Sequence, residues 1–300
     1  MNKHIPVLLN EVIESLDIKT DGIYVDLTLG RAGHSQEILK RLTQGKLICF
    51  DKDIEAIKES DEKLAKISSN YILIKSDFRY VSKELKKIGI EHVDGILADL
   101  GVSSPQLDDI KRGFSYSQNS ELDMRMDLDN PLMAKDIVNN FEEEEIAKIL
   151  YENADVKLAK LIAKAIVSNR PINTSFELNE LLKKVLPAKI VREKNPSKAV
   201  FQALRIAVND EFGSLKELLE QIPSLLNKNG KCAFITFHSK EDAIVKQYFQ
   251  KLNYHDPKLN KLPVQIDKDW KQKIIFPQES EAEENRRARS AKLRVITKLN

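Results

Sequence analysis

The sequence predicts an α/β fold, a parallel sheet with helices on both faces, interrupted by an all-helical insertion. Three observations carry that prediction. Short β-branched apolar runs alternate with single amphipathic stretches up to Leu100. Over residues 108–205 the alternation stops, and only a helical period remains. Beyond Arg205 strand-like and helix-like runs alternate again. Strands spaced by single helices, and apolar on both faces, belong to a parallel sheet covered on both sides.

Residues 23–29 form the first strand, closed by Gly30, and Ile38, Leu39 and Leu42 then recur at helical spacing. Residues 47–50 are a second buried strand, and Ile54, Ile57, Leu64 and Ile67 mark the next helix. Residues 71–74, 81–88 and 93–100 read as strand, helix and strand. In the insertion, Ile146, Ile149, Leu150, Leu158, Leu161 and Ile162 set a helical stripe that breaks near Asn153. Leu178, Leu181, Leu182 and Val185 repeat the period, and Val200, Phe201, Leu204 and Val208 mark a further helix. Pro171, Pro187 and Pro196 punctuate these pieces, since proline ends helices and restrains its predecessor.

Leu215, Leu218, Leu219, Ile222 and Leu225 then predict a helix that stops at Asn229-Gly230. Residues 231–237 are a strand, and 239–252 a helix opened by Ser239-x-x-Asp242, which resembles a capping box. Residues 293–299 supply the last strand. The acidic run 142–145 suits a solvated helix N-terminus.

Composition narrows the class. The 300 residues are 42% hydrophobic and 31% charged, with ten glycines and ten prolines, so the chain buries a core and is neither disordered nor collagen-like. A net charge of +2 permits a polyanionic partner without demanding one. Cys49 and Cys232 lie far apart in strand-like runs, which predicts two buried thiols and a reducing, cytoplasmic setting. The apolar run at 5–9 is too short for a secretory core, and no stretch of ~18 apolar residues predicts a membrane span. His4, His34, His92, His238 and His255 have no ligand spacing with Cys or carboxylates, so no metal is expected.

The chemistry concentrates where strands end. The first strand–turn–helix reads Asp26-Leu-Thr28-Leu-Gly30-Arg-Ala32-Gly33-His34-Ser35, whose small residues let backbone approach a ligand. Asp51 ends the second strand twenty-one positions after Gly30, where an acid accepts ribose hydroxyls. A tight turn and a surface acid are each common structural features, but on adjacent strands they make a nucleoside site. Neither a G-x-G-x-x-G fingerprint nor a P-loop is present. A glycine turn that meets no pyrophosphate suits S-adenosyl-L-methionine.

Asp99 ends the fourth strand, where it either caps the following turn or borders both cofactor and an incoming amine. His238, at the end of the fifth strand, reads first as a structural hydrogen-bonding residue and second as a catalytic one. These residues leave three functions open: an RNA methyltransferase, a methyltransferase for DNA or a small molecule, and an RNA-binding assembly protein that holds the cofactor without turnover.

Longer strings sharpen the choice. They are His4-x-Pro-Val-Leu-Leu-x-Glu11, Asp94-Gly-x-Leu-x-Asp-Leu-Gly-Val-Ser-Ser-x-Gln106, Arg112-Gly-Phe-Ser115, Leu122-Asp-Met-Arg-Met126, Phe201-Gln-Ala-Leu-Arg-Ile206, Phe237-His-Ser239 and Ala288-Arg-Ser290. Over nearly the whole chain they resemble the bacterial ribosomal RNA small subunit methyltransferase H family (RsmH, also called MraW). The resemblance implies a Rossmann-like S-adenosylmethionine-dependent methyltransferase domain formed by residues 1–108 and 206–300. Residues 109–205 would be a helical, substrate-recognising insertion. It implies methylation of the N4 amine of a cytidine in 16S rRNA of the small ribosomal subunit, and it is compatible with a homodimer. Carried over position by position, the cofactor contacts fall on Ala32, Gly33, His34, Asp51, Phe78, Asp99 and Gln106.

The chain also departs from that family. Ala32 replaces the first of two glycines in the turn, a mild change if its φ stays negative. Asn119-Ser120, residues 153–156, the string Asn195-Pro-Ser-Lys198, Lys240, Ala243 and Arg286 differ as well, and lie where RNA or interdomain surface is expected.

An exocyclic cytosine amine is a poor nucleophile until an acceptor draws on one N–H, and Asp99 is placed for that role. Carbon-5 methylation would need a cysteine nucleophile, and both cysteines lie inside predicted strands. The target base must leave its stack, so a pocket walled by the insertion is expected. Arg286, Arg287, Arg289, Lys292 and Arg294 form a basic run that reads equally as a phosphate contact or as a tail paired to its own acids. Arg112, Arg125 and Lys198 are further phosphate-contact candidates.

Overall fold

Alternate residues of the central strands feed two separate apolar cores, which is why those strands read as unbroken hydrophobic runs. Leu47 and Cys49 join one core while Ile48 and Phe50 join the other, and Leu97 and Ala233 oppose Ile96, Ala98, Cys232 and Phe234 in the same way. The computed structural model describes residues 6–188, 196–253, 269–285 and 287–300. His4, Asn195, His255 and Arg286 lie outside the described residues. The chain divides into two compact units, Met1–Gly101 with Gly213–Asn300, and Val102–Phe212. The joints fall at 101/102 and 212/213, against the expected 108/109 and 205/206.

The first unit opens with α1 (Leu9–Leu16), β1 (Ile23–Asp26), α2 (Gly33–Leu39), β2 (Lys46–Asp51) and α3 (Ile54–Leu64). Next come β3 (Tyr71–Lys75), a 3₁₀ turn (Phe78–Tyr80), α4 (Val81–Lys87) and β4 (Val93–Asp99). β1 pairs in parallel with β2 on one side and β4 on the other. The strand order therefore reverses between β1 and β4, and open α/β sheets bind ligands at the carboxyl end of such a switch point. Both joints of β1 continue its ladder: Leu27 N–H donates to the Leu97 carbonyl at 2.8 Å, and Leu29 N–H to the Phe50 carbonyl at 2.9 Å.

The second unit contains α5 (Ser104–Asp108), α6 (Ala134–Asn140), α7 (Glu143–Ala154), α8 (Ala159–Ser168), α9 (Ser175–Val185) and α10 (Pro196–Asn209). One core, including Ile137, Ile146, Leu150, Ile162, Leu178 and Leu204, joins them. The only strand-like pairing described here is an isolated bridge between Glu121 and Thr174. The expected break in the stripe is a left-handed Asp155, φ 50°, between α7 and α8. The acidic run does open α7, where Glu142 N–H donates to Glu145 Oε2 at 2.9 Å.

The chain returns to the first unit at Gly213, within α11 (Glu211–Leu225), and continues with β5 (Leu226–Thr236), α12 (Ser239–Leu252), β6 (Trp270–Ile275), α13 (Glu279–Glu284) and β7 (Lys292–Lys298). The sheet order is β3-β2-β1-β4-β5-β7-β6, with β7 antiparallel to both neighbours. Three expectations are corrected here. Asn229-Gly230 does not stop the helix: it lies in a bulge of β5, between the pairs Val93–Leu226 and Gly95–Lys231, with Asn229 at φ 63°. The cap of α12 is shifted by one residue. His238 rather than Ser239 accepts from the Glu241 N–H, and Glu241 Oε2 accepts from the Phe237 N–H at 2.9 Å. β6 was not expected, because only Trp270 of this edge strand is buried and Lys271 and Lys273 dilute its pattern.

Both cysteines are buried free thiols, and burial pushes each further above its ordinary pKa.

Candidate active site

The turn after β1 is built by Asp26. Its buried carboxylate accepts the Thr28 N–H at 3.1 Å and the Ser35 hydroxyl at 2.6 Å, which ties the strand end to the first turn of α2. Burial raises its pKa against those two hydrogen bonds. Gly30 has φ 49°, and its N–H donates to Asp51 Oδ2 at 2.9 Å. Ala32 also adopts a left-handed conformation, φ 60°, with its methyl group fully buried. The expected mild substitution is therefore a strained one, since a β-carbon disfavours that region by ~1–2 kcal/mol. Gly33 is required for a different reason: a β-carbon there would lie 2.2 Å from Cγ of Pro6.

Asp51 ends β2 beside that turn. Its second oxygen accepts the Asp53 N–H at 2.9 Å, and each carboxylate oxygen keeps a further lone pair. Burial pushes its pKa up to about 6, helped by the charges of Asp53 and Asp26 and opposed by the two N–H donors. Phe78 opens the 3₁₀ turn after β3, half-buried at the same edge of the sheet. Asp77 caps that turn and its carboxylate binds Lys52 at 3.0 Å, so the tips of β2 and β3 are joined by an ion pair.

Asp99 ends β4 on the other side of the switch point. Its N–H donates to Thr28 Oγ1 at 2.6 Å, which fixes it to the β1 turn. It does not cap the following helix; Ser103 does that, in a capping box with Gln106. Asp99 Oδ1 is buried and has no hydrogen-bond partner among the described residues, while Oδ2 lies 3.9 Å from Nδ1 of His34. Burial and the nearby charges of Asp26 and Glu241 push the pKa of Asp99 up to about 8, against the opposing charge of Arg287. Gly101, φ 97°, then turns the chain past the Phe237 ring, 3.8 Å from where a β-carbon would stand.

His34 is buried, and its Nε2 lies 3.0 Å from the Val7 carbonyl. A carbonyl only accepts, so Nε2 carries a hydrogen toward Val7, and Nδ1 is the ring nitrogen on the Asp99 side. His238 stands at the neighbouring strand end as a helix cap, with Nε2 2.9 Å from Glu241 Oε1. Thr28, Asp26, Ser35 and Glu241 all shape this edge and none was singled out as a site residue. An acid closing the first strand, followed two residues later by threonine, was the available signal for the first two.

The first unit thus gathers Ala32, Gly33, His34, Asp51, Phe78 and Asp99 along its carboxyl edge. Gln106 belongs to the second unit, where it is buried and its Oε1 accepts the Ser103 N–H at 3.1 Å. The basic candidates divide. Arg294 is 3% exposed and pairs with Asp242 at 2.7 Å, and Lys292 meets the same carboxylate at 3.3 Å, so both serve the sheet rather than a phosphate. Arg112 is buried and donates to the Arg125 and Met126 carbonyls at 3.0 Å, and Arg125 pairs with Asp123 at 2.8 Å. Arg289 remains exposed, with Nε donating to the Ala282 carbonyl at 2.9 Å. Among the described residues, no group of three or more His, Cys, Asp or Glu is arranged to hold a metal ion.

A family model described as the MraW methylase family matches residues 1–299. The chain belongs to the MraW methylase family. Its curated relatives include the ribosomal RNA small subunit methyltransferase H of Metamycoplasma arthritidis, 66% identical over 95% of this chain and 100% of that protein. The protein of the same name from Mycoplasmopsis agalactiae is 54% identical over 99% of both chains. By backbone alone, this MraW-family chain aligns with the crystal structure of a putative rRNA-methylase from Clostridium thermocellum. That alignment has a TM-score of 0.48 and 11% identity over 99% of each chain.

Proposed function

We propose that this chain transfers a methyl group from S-adenosyl-L-methionine to the N4 amine of a cytidine in 16S rRNA of the small ribosomal subunit. Its family membership supports the methyl transfer, and the names of its relatives support ribosomal RNA as the substrate. The observation that carries the chemistry is the Asp99 carboxyl, with one buried oxygen that has no hydrogen-bond partner among the described residues. Buried polar atoms are almost always hydrogen-bonded, so such an oxygen marks the place of a donor from outside.

S-adenosyl-L-methionine, when bound, supplies an electrophilic methyl group on a cationic sulfur. The residues fit such a nucleoside. Asp51 accepts ribose hydroxyls with its remaining lone pairs, and Phe78 offers a ring face to the adenine. Gly30, Ala32 and Gly33 keep the turn close enough for backbone contact. Asp99, once ionised, accepts one N–H of the amine, localises the nitrogen lone pair and orients it. Arg287 favours that ionised form. In this reading the helical unit recognises the RNA.

A ribosomal substrate places the reaction in the cytoplasm in this reading. Among the described residues no helix is long and apolar enough to cross a membrane. The test is labelled donor incubated with small ribosomal subunits, followed by nucleoside analysis of the RNA. Label in N4-methylcytidine is expected; label in another nucleoside, or none in RNA, would refute the proposal.

A further inference from the structure

We propose that the exposed face of α8 grips the phosphate backbone of the substrate RNA through Lys157, Lys160 and Lys164, a surface that rests on the RNA-methylating function above. Residues 156–176 contain these three lysines and Arg170 but no Asp or Glu. Ala159, Ile162, Ala163 and Ile166 turn one side of α8 into the core of the helical unit, so its opposite side carries Lys160, Leu161, Lys164 and Ser168. Lys157 is exposed in the turn that leads into the helix and precedes Lys160 by three positions and Lys164 by seven. Residues at that spacing are neighbours on a helix surface, with β-carbons about 5–6 Å apart, a separation on the scale of successive phosphates along a strand.

The charges of this row are uncompensated, unlike others in the same unit. Arg125 pairs there with Asp123, Lys183 with Glu180 and Arg205 with Glu211. Among the described residues, no ion pair or side-chain hydrogen bond engages the ammonium groups of Lys157, Lys160 and Lys164. Acids on the helices packed against α8 are committed elsewhere: Glu145 Oε2 accepts the Glu142 N–H on α7, and Glu177 Oε2 accepts the Asn173 N–H at the start of α9. Leu161, 43% exposed within the row, offers an apolar contact that a nucleotide would cover. Lysines in this state release phosphate counterions when a polyanion docks, which gives affinity and orientation without reading base sequence.

The test is binding to small ribosomal subunits, with S-adenosylhomocysteine present, from about 50 to 200 mM salt. Glutamine has nearly the helix propensity of lysine, so Lys157→Gln, Lys160→Gln and Lys164→Gln together should leave α8 folded. That triple variant should bind about tenfold or more weakly, with the slope of log K against log salt shallower by about 2 to 3. In methyl transfer its KM for subunits should rise while kcat stays within about twofold of wild type. A control of equal charge, Lys58→Gln, Lys66→Gln and Lys86→Gln at exposed positions of the first unit, should leave the slope within about 0.5 of wild type. An unchanged slope in the α8 variant, or an equal loss in the control, would overturn the surface. If the triple variant does not fold, Lys160→Gln alone should flatten the slope by about 0.7–0.9, and an unmoved slope would count against the surface in the same way. Wild type that labels no RNA would overturn the function and this surface with it. Wild type that methylates subunits, beside an α8 variant that keeps the full slope, would overturn the surface alone.

Discussion

Asp99 hangs from Thr28: its backbone N–H donates to the threonine hydroxyl at 2.6 Å, across the point where the strand order reverses. The carboxyl proposed to act on the amine is thus positioned by the same turn that carries Gly30 and Gly33. The remaining properties of the site follow from how deeply that carboxyl is set and which charges surround it.

The first consequence is a pH profile. Asp99 is protonated below about 8, and only its ionised form draws fully on an amine N–H. At subsaturating donor, kcat/KM should rise about tenfold per pH unit from pH 6 and level off near 8. A flat or falling profile over that interval would contradict the assignment.

The same burial makes Asp99 a cost to folding at high pH. Its folded pKa, about 8, lies above the ordinary 3.8, so its stabilising contribution is complete below 3.8 and lost as pH rises through 8. Asp99→Asn should therefore gain stability relative to wild type between pH 4 and 8, reaching about 1–3 kcal/mol. Urea denaturation at several pH values checks this; a difference independent of pH would contradict it.

Asp51→Asn removes the charge that would meet a ribose. Donor affinity should weaken by about tenfold to a hundredfold in calorimetry at pH 7.5, as expected for losing a charged hydrogen-bond partner. Wild-type affinity should also fall as pH drops below about 6, where Asp51 protonates. Unchanged binding in the variant would remove Asp51 from the site.

Gly33→Ala places a methyl group against the Pro6 ring. Overpacking of this kind costs about 1–3 kcal/mol, read as a lower Tm. Pro6→Ala in the same chain should recover most of the loss; no recovery would show that Gly33 serves something other than this contact.

Arg294 and Asp242 form a buried pair in which burial raises the Asp242 pKa but Arg294 and Lys292 outweigh it and hold it below the ordinary value. Arg294→Met should destabilise the protein, by less than the about 3–5 kcal/mol of a fully unpaired buried charge, because Lys292 remains 3.3 Å from the carboxylate. Adding Asp242→Leu should restore stability, in thermal unfolding, without altering the salt dependence of RNA binding.

Much of this was legible in the chain. Runs such as residues 47–50 announce a strand buried on both faces, and Gly30 with Asp51 announces a paired turn and acid. The edge strand β6 was illegible because Lys271 and Lys273 face solvent and only Trp270 is buried, which leaves no apolar period to detect. Ala32 was misjudged because its left-handed φ is imposed by the turn that Asp26 and Gly30 build, and nothing in an alanine itself signals it. The basic run looked like one surface, yet Arg294 and Arg289 differ wholly in burial: Arg289 lies in the 3₁₀ turn Ala288–Ser290 ahead of β7, and Arg294 lies inside the strand. Arg112 and Arg125 look like phosphate contacts in sequence, because carbonyl and carboxylate partners from the same unit are invisible there.

The most direct test of the central claim is single-turnover methyl transfer by Asp99→Asn at saturating S-adenosyl-L-methionine on small ribosomal subunits. The variant should bind the donor within about tenfold of wild type and transfer the methyl group about 100- to 10,000-fold more slowly. Transfer at the wild-type rate would show that the carboxyl at the end of β4 does not act on the amine.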